Sequence, residues 1–149
     1  MDSISTVLTQ VHHRCDDLFA QAESSVSRRD WSEADGFFSE FVRTTELHLE
    51  IEERILFPAL EQVIGPHGPT QVMRLEHAQM RDLFKEMAQH IAEHDADRYL
   101  GLSETLLVLI QQHNLKEEQI LYRMADQALS GERAHLLARI AEAAAAPVT

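Results

Sequence analysis

The chain has 149 residues and a formal net charge of −12 at pH 7. A chain of this length can bury its own core, and a hydrophobic content of 44% with only five glycines and four prolines argues against disorder. The negative charge excludes nucleic acid and anionic membrane surfaces as main partners, because both bind basic patches.

The cysteine content and the apolar segments indicate the cellular compartment in which we expect the protein. The single cysteine excludes an intrachain disulfide and a cysteine-based zinc site. The N-terminus lacks the basic and apolar regions of a signal peptide, and no apolar stretch approaches the roughly 20 residues that cross a bilayer. We therefore expect a cytoplasmic protein with one domain over residues 1–149.

Apolar residues recur three and four positions apart, which predicts amphipathic helices. The predicted elements are helix A at about 5–27, helix B at about 30–63, helix C at about 70–93, helix D from a turn at 94–97 to about 130, and a short helix at about 132–145. Asp30 should cap helix B, Pro58 should kink or shorten it, and residues 146–149 should fray.

The segment at 65–69, GPHGP, separates hairpin A/B, about 5–63, from hairpin C/D, about 70–130. Short turns make the helices within each hairpin antiparallel. The sequence thus predicts an all-α fold, an antiparallel up-down-up-down four-helix bundle with a short C-terminal helix.

A set of polar residues recurs 65 positions apart. His12, His48 and Glu52 match His77, His113 and Glu117, in that order. The surrounding segments also match, since HLEIEERILF at 48–57 pairs with HNLKEEQILY at 113–122. The repeat predicts two half-sites that meet across a pseudo-twofold axis.

All six repeated residues lie on the apolar seams of the predicted helices. We expect the helix B seam to continue through Ala59, and the helix D seam through Ile120 and Met124. Four imidazoles and two carboxylates in a core would be costly without compensation. A bound metal pair would compensate, and these donors suit iron, manganese or zinc better than calcium or magnesium. The alternative is a core of His–Glu hydrogen bonds, or histidines at its rim.

With these motifs, the chain resembles the hemerythrin-like (HHE cation-binding) family over about 5–131. The resemblance rests on one His on helices A and C, and His-x-x-x-Glu followed by EExILF/Y on helices B and D. It implies a four-helix bundle around two iron ions with an oxo or hydroxo bridge. It also implies terminal ligands at His12, His48, His77 and His113, and bridging carboxylates at Glu52 and Glu117.

The chain departs from the oxygen-carrying members of that family at two positions. They have a second histidine on helix C, where this chain has Arg81, and they end on His-x-x-x-x-Asp, where it has Glu117 and then Glu118. One metal would therefore have one nitrogen ligand fewer than in the oxygen carriers. Because the repeat is unbroken at every ligand, we expect a nearly symmetric centre. It is similar to the di-iron domains of nitric-oxide-responsive iron–sulfur repair proteins, without their cysteine segment.

The resemblance implies a non-haem di-iron protein that binds or senses oxygen or nitric oxide. The alternatives are a di-iron oxidase or reductase acting on oxygen, peroxide or nitric oxide, with a redox partner, and an iron storage or delivery protein. Whether the chain is an enzyme stays open. Zinc and manganese are the alternative metals, and acidity favours a monomer.

Other residues near the motifs receive simpler interpretations. His12 is preferred to His13 as the metal ligand, because only His12 matches His77 in the repeat. Cys15 is expected to fill the core, or alternatively to act as a redox thiol. Glu53 and Glu118 are expected to surround the ligands, with Glu118 as an alternative to Glu117. The remaining expectations are packing roles for Phe57, Tyr122 and Trp31, and surface positions for His67, His90, His94 and His135.

Overall fold

The computed structural model describes residues 2–145, which form helices and turns. The helices are α1 (Ile4–Ser27), α2 (Trp31–Ile51), α3 (Phe57–Ile64), α4 (Pro69–Ala92), α5 (Ala96–Lys116), α6 (Tyr122–Ala128) and α7 (Arg133–Ala145). A π-helical turn, Glu52–Leu56, joins α2 to α3, and another, Glu117–Leu121, joins α5 to α6. Helices A to D are therefore α1, α2–α3, α4 and α5–α6. The fraying predicted for 146–149 lies outside the described residues.

The four long helices form a closed ring around one core. Helix α1 packs against α2 and α5, and α4 packs against the same two helices. Helix α7 lies against α2 and the first π turn. The predicted all-α four-helix bundle with a short C-terminal helix is confirmed. Among residues 2–145, no helix combines the length and apolarity needed to cross a bilayer.

The two hairpin turns have the same construction, so the 65-residue repeat extends to the backbone. Asp30 and Asp95 cap α2 and α5, and each carboxylate accepts a hydrogen bond at 3.1 Å from the N–H three residues later. Before them, Arg29 and His94 adopt left-handed φ values of 58° and 55°. The predicted cap at Asp30 is confirmed.

The π turns change which residues face the core after them. A π turn inserts one extra residue, which rotates the following helix by about 100°. Leu60 and Leu121 are consequently buried, whereas Ile120 is 55% exposed and Met124 and Ala59 are only partly buried. The predicted seam position at Ile120 was therefore wrong, whereas Ala59 and Met124, although only partly buried, pack against the apolar cluster that contains Leu56 and Leu121.

Pro58 lies in the first turn of α3, directly after the first π turn. The chain stays helical through this point, since Leu56 and Phe57 both have right-handed helical dihedral angles. The proline does not cause the π turn, since Arg123 occupies the matching position after the second one. The interruption of helix B thus comes from the π turn itself, not from the predicted proline kink.

Two apolar clusters fill the bundle, one on either side of a polar layer. One contains Phe19, Phe41, Phe84, Tyr99 and Leu106. The other contains Leu8, Leu56, Leu60, Leu121 and Tyr122. Between them, each helix places its repeated histidine or His-x-x-x-Glu pair at the same height, so the candidate site lies in the middle of the bundle.

Candidate metal centre

All six predicted site residues meet in this polar layer, and each is at most 4% exposed. They form two groups of four whose donor atoms lie within 4.8 Å of one another. The first cluster comprises His12, His48, Glu52 and Glu117. The second cluster comprises Glu52, His77, His113 and Glu117. The two glutamates belong to both clusters.

The shared glutamates lie between imidazoles of different helices. Glu52 places Oε2 3.5 Å from His48 Nε2 and Oε1 3.1 Å from His77 Nε2. Glu117 places Oε1 3.0 Å from His12 Nε2 and 3.3 Å from His113 Nε2. Each glutamate begins a π turn, and π turns are frequent at functional sites. This arrangement suits carboxylates that bridge two cations.

Several donor atoms lack hydrogen-bond partners among residues 2–145. They are Glu52 Oε1, His77 Nε2, His113 Nε2 and Glu117 Oε2. A buried polar atom without a partner costs about 1–3 kcal/mol. The unpaired atoms come from both carboxylates and converge on the space between the helices. A cation bound there would satisfy them, so the donor set fits a metal pair.

The charges inside the layer are coupled. Burial alone would raise the pKa of Glu52, but the adjacent imidazoles, His48 first among them, hold it well below its usual range. Burial alone would lower the pKa of His113, but Glu117, Glu52 and Glu76 outweigh burial and raise it to about 9. Without metal, a proton on His113 would therefore help to balance the ionised carboxylate of Glu52.

Three of the four histidines are oriented by an outer carboxylate. Nδ1 lies 2.7 Å from Glu118 in His12, 2.8 Å from Glu53 in His77 and 2.8 Å from Glu76 in His113. An N–H at Nδ1 leaves Nε2 free as a metal donor. The expected placement of Glu53 and Glu118 around the ligands is confirmed, and Glu117 rather than Glu118 enters the core.

The repeat is broken at several positions beside the ligands, and two of them change the contacts of the donors. Val11 stands where Glu76 stands in the second half, and His48 Nδ1 has no hydrogen-bond partner among the described residues. Phe57 stands where Tyr122 stands in the second half. The six repeated donors match, as expected for a nearly symmetric centre, but the residues around them differ between the two halves.

Tyr122 is fully buried, and its hydroxyl lies among the donors of the first cluster. Its Oη is 2.6 Å from Glu52 Oε2, 3.0 Å from Glu117 Oε1, 3.1 Å from His12 Nε2 and 3.2 Å from His48 Nε2. Tyr122 has the packing role expected from the sequence, since it belongs to the second apolar cluster, but its hydroxyl also contacts the candidate ligands. The available signal was the Phe/Tyr difference at the end of the two matching segments.

The family comparison agrees with this geometry. The model of the Hemerythrin HHE cation binding domain matches residues 3–125. The chain belongs to this family. Neither the curated proteins nor the solved structures compared with the chain include a significant match. The cation-binding character of the hemerythrin domain and the buried His/Glu clusters together support a metal-binding protein.

Arg81 occupies the helix C position at which this chain differs from the oxygen carriers. Its side chain pairs with acidic side chains instead. Its guanidinium donates to both oxygens of Glu53 at 2.8 and 3.0 Å and also pairs with Glu46. Burial would raise the pKa of Glu53, but Arg81 and then His77 outweigh burial and lower it. Arg81 thus stabilises the ionised carboxylate that orients His77.

A cavity of about 20 Å³ adjoins both clusters. Its lining combines four cluster residues, His12, His48, His113 and Glu117, with Cys15, Phe41, Thr45, Leu49, Met80, Ile110 and Asn114. A cavity needs a volume of about 10–15 Å³ to hold one water molecule. The hemerythrin core therefore has room for one molecule of about that size, next to the candidate ligands.

The remaining residues follow the expectations with one partial exception. Cys15 is buried, and burial raises its thiol pKa, which favours a neutral core thiol over a reactive one. Trp31 stacks on His94 at 4.8 Å and packs against the core. His13, His67, His94 and His135 are exposed, whereas His90 is partly buried.

Proposed function

We propose that the protein is a non-haem di-iron protein that binds or senses a small diatomic molecule, oxygen or nitric oxide. The observation that carries this proposal is the cavity of about 20 Å³ whose lining includes residues of both clusters. A cavity of that volume is large enough for one diatomic molecule. Cytoplasmic location and a monomeric state remain predictions from the sequence.

Iron is proposed because of the donor set. Four imidazole nitrogens and two carboxylates, four donors per cluster with both carboxylates shared, suit first-row transition metals. A pair of iron ions would supply redox-active binding of oxygen or nitric oxide. Of the two alternative metals, zinc and manganese, zinc has no redox chemistry of its own.

The protein side chains would have three tasks around such a pair. The imidazoles and shared carboxylates hold the cations, and Glu53, Glu76 and Glu118 fix the imidazole rings. The apolar lining, which includes Phe41, Met80 and Ile110, limits water near the clusters.

The test begins with the metal content and optical spectra of the purified protein. We expect two iron ions per chain, and reversible spectral changes when the reduced protein meets oxygen or nitric oxide. Turnover of oxygen or peroxide with a reductant would instead support the oxidase or reductase alternative.

Ligand variants test the site itself. His48→Ala and His113→Ala each remove one donor and should lower the iron content below two per chain, whereas the exposed control His135→Ala should keep it. Unchanged iron content in both ligand variants would contradict the proposed centre.

A further inference from the structure

We propose that Tyr122 is a metal ligand of the first cluster through its phenolic oxygen, and that it makes the two metal positions chemically different. This inference rests on the proposed function, since it requires a bound metal pair. It adds a seventh protein donor to the six that the repeat supplies.

The spacing of the donor atoms carries the inference. A six-coordinate ion with metal–ligand bonds of about 2.1 Å has neighbouring ligands about 3.0 Å apart. In the first cluster, His12 Nε2 lies 3.1 Å from His48 Nε2 and 3.0 Å from Glu117 Oε1. His48 Nε2 lies 3.5 Å from Glu52 Oε2. These four atoms therefore have the spacing of adjacent ligands around one ion.

The phenolic oxygen takes the position of a fifth ligand. It is 2.6–3.2 Å from all four atoms at once, close to the roughly 3.0 Å expected between neighbouring ligands of one ion. A hydroxyl donates one hydrogen and accepts with two lone pairs, so hydrogen bonds to Glu52 and from the two imidazoles leave the contact with Glu117 at 3.0 Å without a hydrogen of its own. A cation shared by all five atoms accounts for every one of these contacts.

The hydrogen bond of His12 agrees with this site. Its Nδ1 lies 2.7 Å from a Glu118 oxygen, which keeps a hydrogen on Nδ1 when metal binding displaces any proton from Nε2. His12 Nε2 and Glu117 Oε1, both next to the phenolic oxygen, can then bind the same ion. On metal binding, the phenolic O–H bond would break, the oxygen would bind the ion, and the proton would leave to solvent.

The second cluster has no matching oxygen. Phe57 occupies the position equivalent to Tyr122, and its ring stacks on His77 with centroids 5.6 Å apart. The first ion would thus have five protein donors and the second ion four. A small exogenous ligand would then find more free coordination positions on the second ion.

Spectroscopy of the iron-loaded protein tests this ligand directly, because the chain has only two tyrosines. Ferric iron bound by a phenolate gives a visible charge-transfer band, and excitation in that band enhances tyrosinate ring vibrations in the Raman spectrum. We expect both signals in the wild type. Tyr122→Phe should retain two iron ions and lose both signals.

The matched control is Tyr99→Phe. Tyr99 is also fully buried, but it belongs to the apolar cluster away from the metal layer, where it packs against Phe38. This variant should keep the band and the tyrosinate vibrations. If Tyr122→Phe does not fold, ring-deuterated tyrosine in Tyr99→Phe gives the answer, because any isotope-shifted mode must then come from Tyr122.

Two results separate this inference from the proposed function. A wild-type protein with two iron ions but no tyrosinate vibrations overturns the inference and leaves the di-iron proposal in place. A protein that binds no metal overturns both. Vibrations that persist unchanged in Tyr122→Phe also overturn the inference.

Discussion

Removing the Glu53 carboxylate should weaken one of the two metal-binding steps. Glu53 Oε2 lies 2.8 Å from His77 Nδ1, and Arg81 holds the carboxylate from the other side. His77 belongs to the second cluster only. We therefore expect Glu53→Gln and Glu53→Ala to weaken binding of the second ion, with little effect on the first.

The expected loss of metal affinity follows from the contact between Glu53 and His77. Loss of a partner that orients a ligating histidine lowers metal affinity about 10–100-fold, or about 1.4–2.8 kcal/mol. Glu53→Gln keeps a neutral acceptor for the Nδ1 hydrogen of His77, so its effect should lie near the lower end. Glu53→Ala leaves that hydrogen without an acceptor in a fully buried ring, so its effect should lie near the upper end.

The assay is competition for ferrous iron between the protein and a chromogenic chelator without oxygen, which resolves the two binding steps. Glu40→Ala is the matched control, because it removes a carboxylate that pairs with Arg43 on the outer face of the same helix. Circular dichroism verifies that each variant is folded. Affinities of Glu53→Ala within threefold of the wild type in both steps would refute the reasoning.

Two further predictions concern the metal-free fold. Since the pKa of His113 is raised to about 9, the protonated ring stabilises the fold fully below the unfolded value of about 6.5, and this contribution disappears as the pH rises through 9. The thermal midpoint should therefore fall between pH 7 and pH 9, and an unchanged midpoint would contradict the ion pairing. Leu121→Ala should cost about 2–5 kcal/mol of unfolding free energy in denaturant titrations, and Ile120→Ala less than about 0.5 kcal/mol. Equal effects would contradict the π-turn register.

The helices and the six donors were predictable because both follow from periodicity. The three-and-four spacing places His12 and His77 on apolar seams, and the four-residue spacing in the other two helices keeps histidine and glutamate on one face. Packing of the four helices along their apolar seams then brings the six donors together.

The positions after Glu52 and Glu117 were not predictable in the same way. Extrapolating an α-helical period through Ile120 assumes four-residue hydrogen bonds, but the N–H of Tyr122 bonds to the carbonyl of Glu117, five residues back. This change of hydrogen bonding places Tyr122 in the core. The carboxylate partners required the structure too, because Glu76 and His113 lie on different helices and have no shared sequence signal.

The sharing of Glu117 between both clusters has a consequence for biosynthesis. Neither cluster is complete in the first hairpin alone, and neither is complete until residue 117 has been synthesised. A nascent chain therefore offers incoming cations only partial binding sites until the second hairpin is present. Selection of the metal is thereby deferred until both hairpins have been made, when the ions available in the surrounding compartment decide what is bound.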